Sequence, residues 1–192
     1  MVNKASVTLM KIVGSVIARI GSKRLRYKNI LPYQGKPLVV HALEKMVSSS
    51  IFDKVVLSTD DELIARTCSH LLGIHILRRP AELATDDTPS IPVFQHILKS
   101  FTGDIHLNYN CNFPECPVDV FTKAIELATE HGEALSVPYA VWTQTAQKLL
   151  NYPDPKIINA KTFDAPDIHP VDIHTMEDLL SVHQDNQGSI IW

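Results

Sequence analysis

The sequence predicts one α/β domain with a mostly parallel central sheet. Apolar and β-branched segments alternate with segments of helical periodicity through most of the chain. Alternating strands and helices favour parallel pairing with right-handed crossovers. The chain has 192 residues, of which 45% are hydrophobic and 20% charged, and this is the size and balance of one globular domain. We expect the domain to span residues 10–184, between an extension at 1–9 and a polar tail at 185–192.

The first half of the chain supplies three strands and two helices. Asp60 and Asp61 precede the second helix, where a carboxylate can cap the first turn, and Gly73 follows its end. In chain order, the predicted elements are the strand Ile12–Ala18, the helix Pro37–Ser50, the strand Lys54–Ser58, the helix Glu62–Leu72 and the strand Ile74–Leu77.

The second half continues the alternation, except for residues 139–168, where prolines interrupt it. Gly132 marks the end of a helix, and Thr175 with Asp178 forms an S/T-x-x-D capping pair for a terminal helix. The predicted elements are the helix Pro89–Phe101, the strand Asp104–Asn108, the helix Val118–His131, the strand Glu133–Val137, the strand Ile168–Ile173 and a terminal helix to about His183.

Charge and cysteine content argue against several classes of protein. The net charge of −3 argues against a general nucleic-acid binder. The cysteine count is odd, and Cys111 and Cys116 form an isolated C-x4-C, so reduced thiols are favoured over disulfides or zinc. Lys11 and Arg19 interrupt the apolar start of the chain, which argues against a signal peptide or membrane span. We expect a cytoplasmic protein that binds neither nucleic acid nor membranes.

A basic loop follows the first predicted strand. Arg19, Lys23, Arg24, Arg26 and Lys28 fall within ten positions, around the pair Gly21–Ser22. Ligands of open α/β sheets bind at the carboxyl ends of the strands, and glycine lets the backbone approach them closely. Fixed cations and free N–H groups suit a polyphosphate. The alternative is a solvated charged face. The common ATPase and dinucleotide motifs are not matched.

The segment 18–29, A-R-I-G-S-K-R-L-R-Y-K-N, resembles the signature loop of the cytidylyltransferases of sugar acids. These are the acylneuraminate enzymes, also called CMP-sialic acid synthetases, and the related keto-deoxy-octulosonate cytidylyltransferases. The resemblance continues through G-K-P-L at 35–38, V-V-L-S-T-D-D-E at 55–62, R-P-A-E-L-A-T-D-D-T-P-S at 79–90 and V-D-I-H-T-M-E-D-L at 171–179. It implies a Rossmann-like nucleotidyltransferase fold. It also implies that a sugar-acid hydroxyl attacks the α-phosphate of CTP and that pyrophosphate leaves.

The resemblance assigns the basic loop to the triphosphate. Arg19 and Lys28 match its ligands, as a planar fork and a point charge respectively, and both count as catalytic in such a site. Asn29 is either a ligand or the turn before the next element. The loop that wraps the phosphates corresponds to Gly21, Ser22 and Lys23.

Two further residues match the nucleotide site. Arg79 matches an arginine near the cytosine and ribose, with a salt bridge to Glu82 or Asp86 as the alternative. Ser90 follows in the same block as a nucleotide contact, or alternatively marks only the start of a helix after proline.

The implied metal is Mg²⁺, with Mn²⁺ as the alternative, but two of its ligands are altered. Asp172 is retained from the late Asp-x-Asp motif, where it is expected to be catalytic, and His174 replaces the second aspartate. In the middle of the chain, relatives carry either Q-P-T-S-P or G-D-x-P, in which the aspartate binds metal, and on either alignment the key residue is altered, to Asn108 or to Asn110. We assign Asn108 to the nucleotide and Asn110 with Asp172 to the metal, although an amide offers one neutral oxygen.

Two functions remain open. The chain is either a transferase that activates a nonulosonic, sialic-acid-like sugar acid with CTP, or a non-catalytic relative that keeps the fold and nucleotide binding. The resemblance also implies a β-rich dimerisation arm, which residues 139–168 contain only in shortened form. We therefore expect a monomer or a weak dimer.

Overall fold

Seven strands form one central sheet. The computed structural model describes residues 10–21 and 24–185. The predicted extension 1–9, Ser22, Lys23 and residues 186–192 of the predicted tail lie outside the described residues. The strands are β1 (Ile12–Ile17), β2 (Pro32–Tyr33), β3 (Lys36–Pro37), β4 (Lys54–Thr59), β5 (Ile74–Arg78), β6 (Ile105–Tyr109), β7 (Glu133–Val137), β8 (Val141–Thr145) and β9 (Lys161–Asp164).

The sheet is mostly parallel, as predicted. Its strand order is β5-β4-β1-β6-β8-β7-β9, and β2 and β3 form a separate hairpin. Only β8 runs antiparallel to its two neighbours, β6 and β7. The order reverses at β1, because β4 and β5 lie on one side of it and β6 lies on the other.

Helices cover both faces of this sheet. Val13 of β1 packs with α3 and α5, whereas Val16 packs with α1, α2 and α4, as the alternation of side chains along a strand requires. The helices are α1 (Leu38–Ser48), α2 (Glu62–Cys68), α3 (Ser90–Ser100), α4 (Asp119–His131), α5 (Ala146–Leu150) and α6 (Met176–Asp185). Within the described ranges, no helix combines the length and the apolar character that crossing a membrane requires.

Three of the predicted helix ends are confirmed by their caps. Asp61 accepts hydrogen bonds from the backbone N–H groups of the first turn of α2, at 2.8 and 3.0 Å. Gly132 ends α4 with a φ of 82°, where glycine avoids the strain of a side chain. The Asp178 carboxylate accepts the Thr175 N–H at 2.7 Å, and the Asp178 N–H bonds back to the Thr175 hydroxyl at 3.2 Å.

The prediction that α2 reaches Leu72 is wrong. The helix ends at Cys68, and Leu72 is 89% exposed. The Ser69 hydroxyl donates to the Arg66 carbonyl at 2.9 Å, a local bond that competes with continuation of the helix. Because Leu72 is exposed, a helix that continued to this residue would gain little stability from apolar burial.

The interpretation of residues 139–168 needs a larger correction. This segment contributes β8 to the interior of the sheet, followed by α5 and the edge strand β9. The predicted strand Ile168–Ile173 is wrong, because these residues form a loop that pairs with no strand. Pro170 has no N–H to donate to a sheet, and the segment is anchored instead by burial of its end residues, Ile168 at 2% and Ile173 at 0% exposure.

We expect the chain to be a monomer or a weak dimer in solution. Residues 139–168 supply β8, α5 and β9 to the domain itself, and residues 151–160 form a short connection between α5 and β9. Light scattering across a concentration range measures the oligomeric state. A stable dimer in which residues 139–168 reach the partner's cleft would contradict this expectation.

Candidate functional site

A polar cleft of about 600 Å³ lies at the carboxyl ends of the central strands. It opens beside β1 and β6, where the strand order reverses, which is the usual binding position in open α/β sheets. The cleft brings together most of the residues predicted for the site. Those that line it are Arg19, Lys28, Asn29, Arg79, Ser90, Asn108 and Asn110, together with Arg24 and His174.

The cleft is rich in cations. Arg19, Arg24, Lys28 and Arg79 all line it. Burial lowers the pKa of Lys28, nearby Cys111 and Asp172 act in the opposite direction, and the neighbouring arginines lower it further. Its Nζ donates to the backbone carbonyl of Ile173 at 3.1 Å. A bound phosphate would favour the charged form of this lysine, so the cleft suits an anionic ligand.

Arg19 leaves the end of β1 and forms an ion pair with Asp86, which lies before α3. Both side chains are one-third exposed, so the pair is accessible from the cleft. The Asp86 carboxylate therefore pairs with the guanidinium group that we predict to bind the triphosphate.

Replacing Asp86 by asparagine is expected to strengthen CTP binding by up to about fivefold. An exposed ion pair contributes at most about 1 kcal/mol, and the ligand would no longer have to displace it. Titration calorimetry of both proteins measures the change. A weaker affinity in the variant would show that Asp86 assists the nucleotide rather than competing with it.

Arg79 is held by Ser58 at the end of β4. Its Nε donates to the Ser58 hydroxyl at 3.2 Å, and its Nη2 donates to the Ser58 carbonyl at 2.6 Å. Burial lowers its pKa to about 10, although nearby Asp60 opposes the shift. The alternative of a salt bridge to Glu82 or Asp86 is wrong, because the guanidinium bonds to β4 and Asp86 pairs with Arg19.

Asn29 braces the basic loop. Its Nδ2 donates to the Arg19 carbonyl at 2.8 Å, and its Oδ1 accepts from the Cys111 thiol at 3.4 Å. This geometry agrees with the alternative of a structural turn, while the residue also lines the cleft. Gly21 is exposed, and Ser22 and Lys23 lie outside the described residues, so their roles stay predictions.

The residues predicted for the metal meet through Asn112. The Asn112 N–H donates to Asn110 Oδ1 at 3.2 Å, and its Nδ2 donates to Asp172 Oδ1 at 2.7 Å. The other Asp172 oxygen lies 3.0 Å from His174 Nε2.

These donors do not fit a resident Mg²⁺ ion. Magnesium favours an octahedral set of oxygen ligands, whereas here one carboxylate is shared between an imidazole and an amide. Across residues 10–21 and 24–185, no group of three or more His, Cys, Asp or Glu side chains is arranged to hold a metal. The three cysteines are free and buried.

The sequence interpretation missed two residues of this site, Asn112 and Tyr139. The Tyr139 hydroxyl bonds to Ser90, and burial raises the pKa of this tyrosine to about 12. Its backbone carbonyl accepts from Asn110 Nδ2 at 3.2 Å. Tyr139 reaches the cleft only because β8 inserts beside β6, a pairing that no local pattern predicts. Asn112 is signalled by the asparagine-rich segment that includes Asn108 and Asn110. Ser90 begins α3 and also lines the cleft, and its contact with the nucleotide stays a prediction.

Comparison with known proteins identifies similar sequences and similar folds. The family model for cytidylyltransferase matches residues 13–170. The chain is 39% identical over 92 residues to an N-acylneuraminate cytidylyltransferase of Escherichia coli O18:K1:H7, a match that covers 48% of this chain and 22% of that protein. It is 33% identical over 122 residues to a pseudaminic acid cytidylyltransferase of Campylobacter jejuni, covering 61% of this chain and 53% of that protein.

The matched segments therefore span between about a fifth and a half of these relatives. A solved structure of CMP:2-keto-3-deoxy-manno-octonic acid synthetase in complex with CTP has the same fold, with a TM-score of 0.73. Its sequence identity is 16%, and the match covers 92% of this chain and 98% of that one.

Proposed function

We propose that this chain, which belongs to the cytidylyltransferase family, transfers the CMP group of CTP to a nonulosonic, sialic-acid-like sugar acid and releases pyrophosphate. The observation that carries the proposal is the cluster of Arg19, Arg24, Lys28 and Arg79 around one cleft at the switch point of the sheet. A triphosphate and a sugar carboxylate are both anions, and such a cleft favours both. Relatives named for two different nonulosonic acids support this substrate class.

The cations would act on the triphosphate by position and charge. In phosphoryl-type transfers the protein contributes mainly by holding the phosphates in line and by stabilising the charge that develops on their oxygens. Lys28 suits this role because burial and its bond to Ile173 fix its ammonium group. Arg19 offers a planar fork to phosphate oxygens once Asp86 is displaced.

The sugar acid would approach from the side of β6. Asn108 lies near the carboxyl end of this strand and lines the cleft, as do Asn110 and Tyr139. The attacking hydroxyl must lose its proton while the bond to the α-phosphorus forms and the bond to pyrophosphate breaks. We propose a cytoplasmic location for this reaction, which the three free thiols support.

We propose that Mg²⁺ enters with CTP as part of the substrate, with Mn²⁺ as the alternative. Phosphate oxygens and water would then provide most of its ligands. Asp172 is the one carboxylate of the predicted metal pair, and its oxygens already accept from Asn112 and face His174.

Replacing Asn110 and His174 together by aspartate is expected to raise the activity at limiting Mg²⁺ by about tenfold, since two carboxylates would be added near Asp172. The measurement is the Mg²⁺ concentration that gives half-maximal pyrophosphate release. Replacing Asn151, an exposed residue after α5, by aspartate is the matched control for added charge. Tight Mg²⁺ binding by the native protein without nucleotide would contradict this account of the site.

The function is tested by following pyrophosphate with CTP, Mg²⁺ or Mn²⁺ and a panel of keto-deoxy sugar acids. We expect release that requires both CTP and one class of sugar acid. CTP binding without release for any sugar acid would favour the non-catalytic alternative, for which the substitutions at Asn110 and His174 are the supporting observation. The absence of CTP binding at millimolar concentration would refute both.

A further inference from the structure

A row of buried polar side chains lies between the central sheet and α3, next to the cleft. Ser15 on β1, His106 and Asn108 on β6, and Gln144 on β8 are each at most 1% exposed. The strand register places Ser15 opposite Asn108 and His106 opposite Gln144. Phe94 packs against the His106 ring, with the ring centroids 4.8 Å apart. Four polar groups at the centre of a domain require a reason, because each must be satisfied away from water.

These groups form one continuous path. His106 Nε2 lies 2.9 Å from the Ser15 hydroxyl, which donates to Asn108 Oδ1 at 3.3 Å. On the other side, His106 Nδ1 lies 3.3 Å from the side-chain amide of Gln144. Asn108 is the only member of the path that also lines the cleft described above.

The direction of the hydrogen bonds follows from counting protons. Ser15 has one hydroxyl proton, and it is donated to Asn108. The oxygen of Ser15 must then accept from His106 Nε2. Burial lowers the pKa of His106 to about 4, so its ring is neutral and carries one proton. Nδ1 is consequently an acceptor.

Gln144 supplies the missing donor. In the orientation that places Oε1 3.3 Å from His106 Nδ1, the buried Nε2 of Gln144 has no hydrogen-bond partner among the residues that the structure describes. A half-turn of the amide exchanges the two atoms and places Nε2 on His106 Nδ1. The path then runs in one direction, from Gln144 through His106 and Ser15 to the oxygen of Asn108.

We propose that this buried path fixes the amide of Asn108 so that its Nδ2 group faces the cleft and donates to an acceptor oxygen of the substrates. Ser15 and His106 are then positioning residues, which act through Asn108. The inference deepens the proposed function and rests on it for the identity of the substrates. The acceptor is an oxygen of the triphosphate or of the sugar acid, and both substrates would present such oxygens to a cleft that Arg19, Arg24, Lys28 and Arg79 line.

The experiment compares Ser15→Ala with Thr143→Val. Thr143 is also fully buried in β8, and its hydroxyl has no partner within the described ranges, so its removal is the matched control for a buried polar deletion. We expect Ser15→Ala to weaken CTP affinity or to raise the KM for the sugar acid by about tenfold, the equivalent of one hydrogen bond. Thr143→Val should leave both unchanged. Calorimetry with CTP alone assigns the acceptor to the nucleotide, and a change confined to the sugar-acid KM assigns it to the second substrate.

Nitrogen-15 NMR of the histidine rings provides a readout that needs no turnover. The resonances of His106 are identified by their loss in His106→Gln, or, if that variant does not fold, by their shift in Ser15→Ala. We expect the Nε2–H tautomer in the native protein. An Nδ1–H tautomer, or unchanged CTP affinity and unchanged KM in Ser15→Ala, would overturn the proposal. A protein that shows the expected tautomer and CTP effect but no pyrophosphate release would disprove only the proposed transferase function.

Discussion

Replacing Lys28 by methionine is expected to lower kcat/KM for CTP by about 100- to 1,000-fold. Removal of one preorganised donor to a charge that develops in the transition state typically costs this much. Lys28 meets the condition, because it is buried beside the cleft and fixed by the Ile173 carbonyl. The apolar part of the methionine side chain keeps most of the packing, so the loss would report the charge.

The matched control for this variant is Lys36→Met. Lys36 is half-exposed and pairs with Glu44 of α1, and it does not line the cleft. Its replacement should leave kcat/KM unchanged. Native kinetics in Lys28→Met would show that Lys28 of the basic loop does not act in the catalytic site.

Replacing Arg19 by alanine is expected to weaken CTP binding by about 1.5–3 kcal/mol, the value of a hydrogen bond to a charged group. The affinity of the native protein should also fall as salt increases, because the attraction is ionic. Calorimetry at two ionic strengths measures both effects. Arg66→Ala is the control, since Arg66 is exposed on α2 and bonds to Glu62 at 2.8 Å. Equal CTP affinities for the native protein and Arg19→Ala would contradict the assignment of Arg19.

Local signals were sufficient for the strands β1, β4 and β5 and for the helix ends that carry a capping residue. The strands β1 and β4 are rich in apolar and β-branched residues, and the predicted caps at Asp61, Gly132 and Thr175 are confirmed. Such signals depend on neighbours in sequence, which a single chain displays directly.

The position of β8 in the sheet depends on pairing with β6, which is distant in sequence. β8 has five residues, follows Pro138 closely in sequence, and enters between β6 and β7 in the antiparallel direction. Its residues Thr143 and Gln144 are polar and buried, so neither alternation nor an apolar run marks them as a strand. The opposite error occurs at Ile168 and Ile173, where a strand is predicted but none forms. These residues are apolar because they are buried at the ends of a loop that contains Pro170.

The same distinction applies to the site. Arg19, Lys28 and Asn29 lie within one loop. Their type and order predict a phosphate site, and all three residues line the cleft. The pairing of Arg19 with Asp86 joins positions 67 residues apart, and the contact of Asp172 with Asn112 joins positions 60 apart. These contacts arise from the arrangement of whole elements, so the sequence predicts the donors but not which partners they meet.

Phosphorus-31 NMR tests the central claim most directly. The protein is incubated with CTP, Mg²⁺ and a nonulosonic acid, and the products are observed without a coupling enzyme. The account predicts that the three CTP resonances are replaced by pyrophosphate and by one phosphodiester resonance of a CMP-sugar, in equal amounts. Formation of CDP and inorganic phosphate, or unchanged CTP with every sugar acid while the nucleotide is bound, would contradict it.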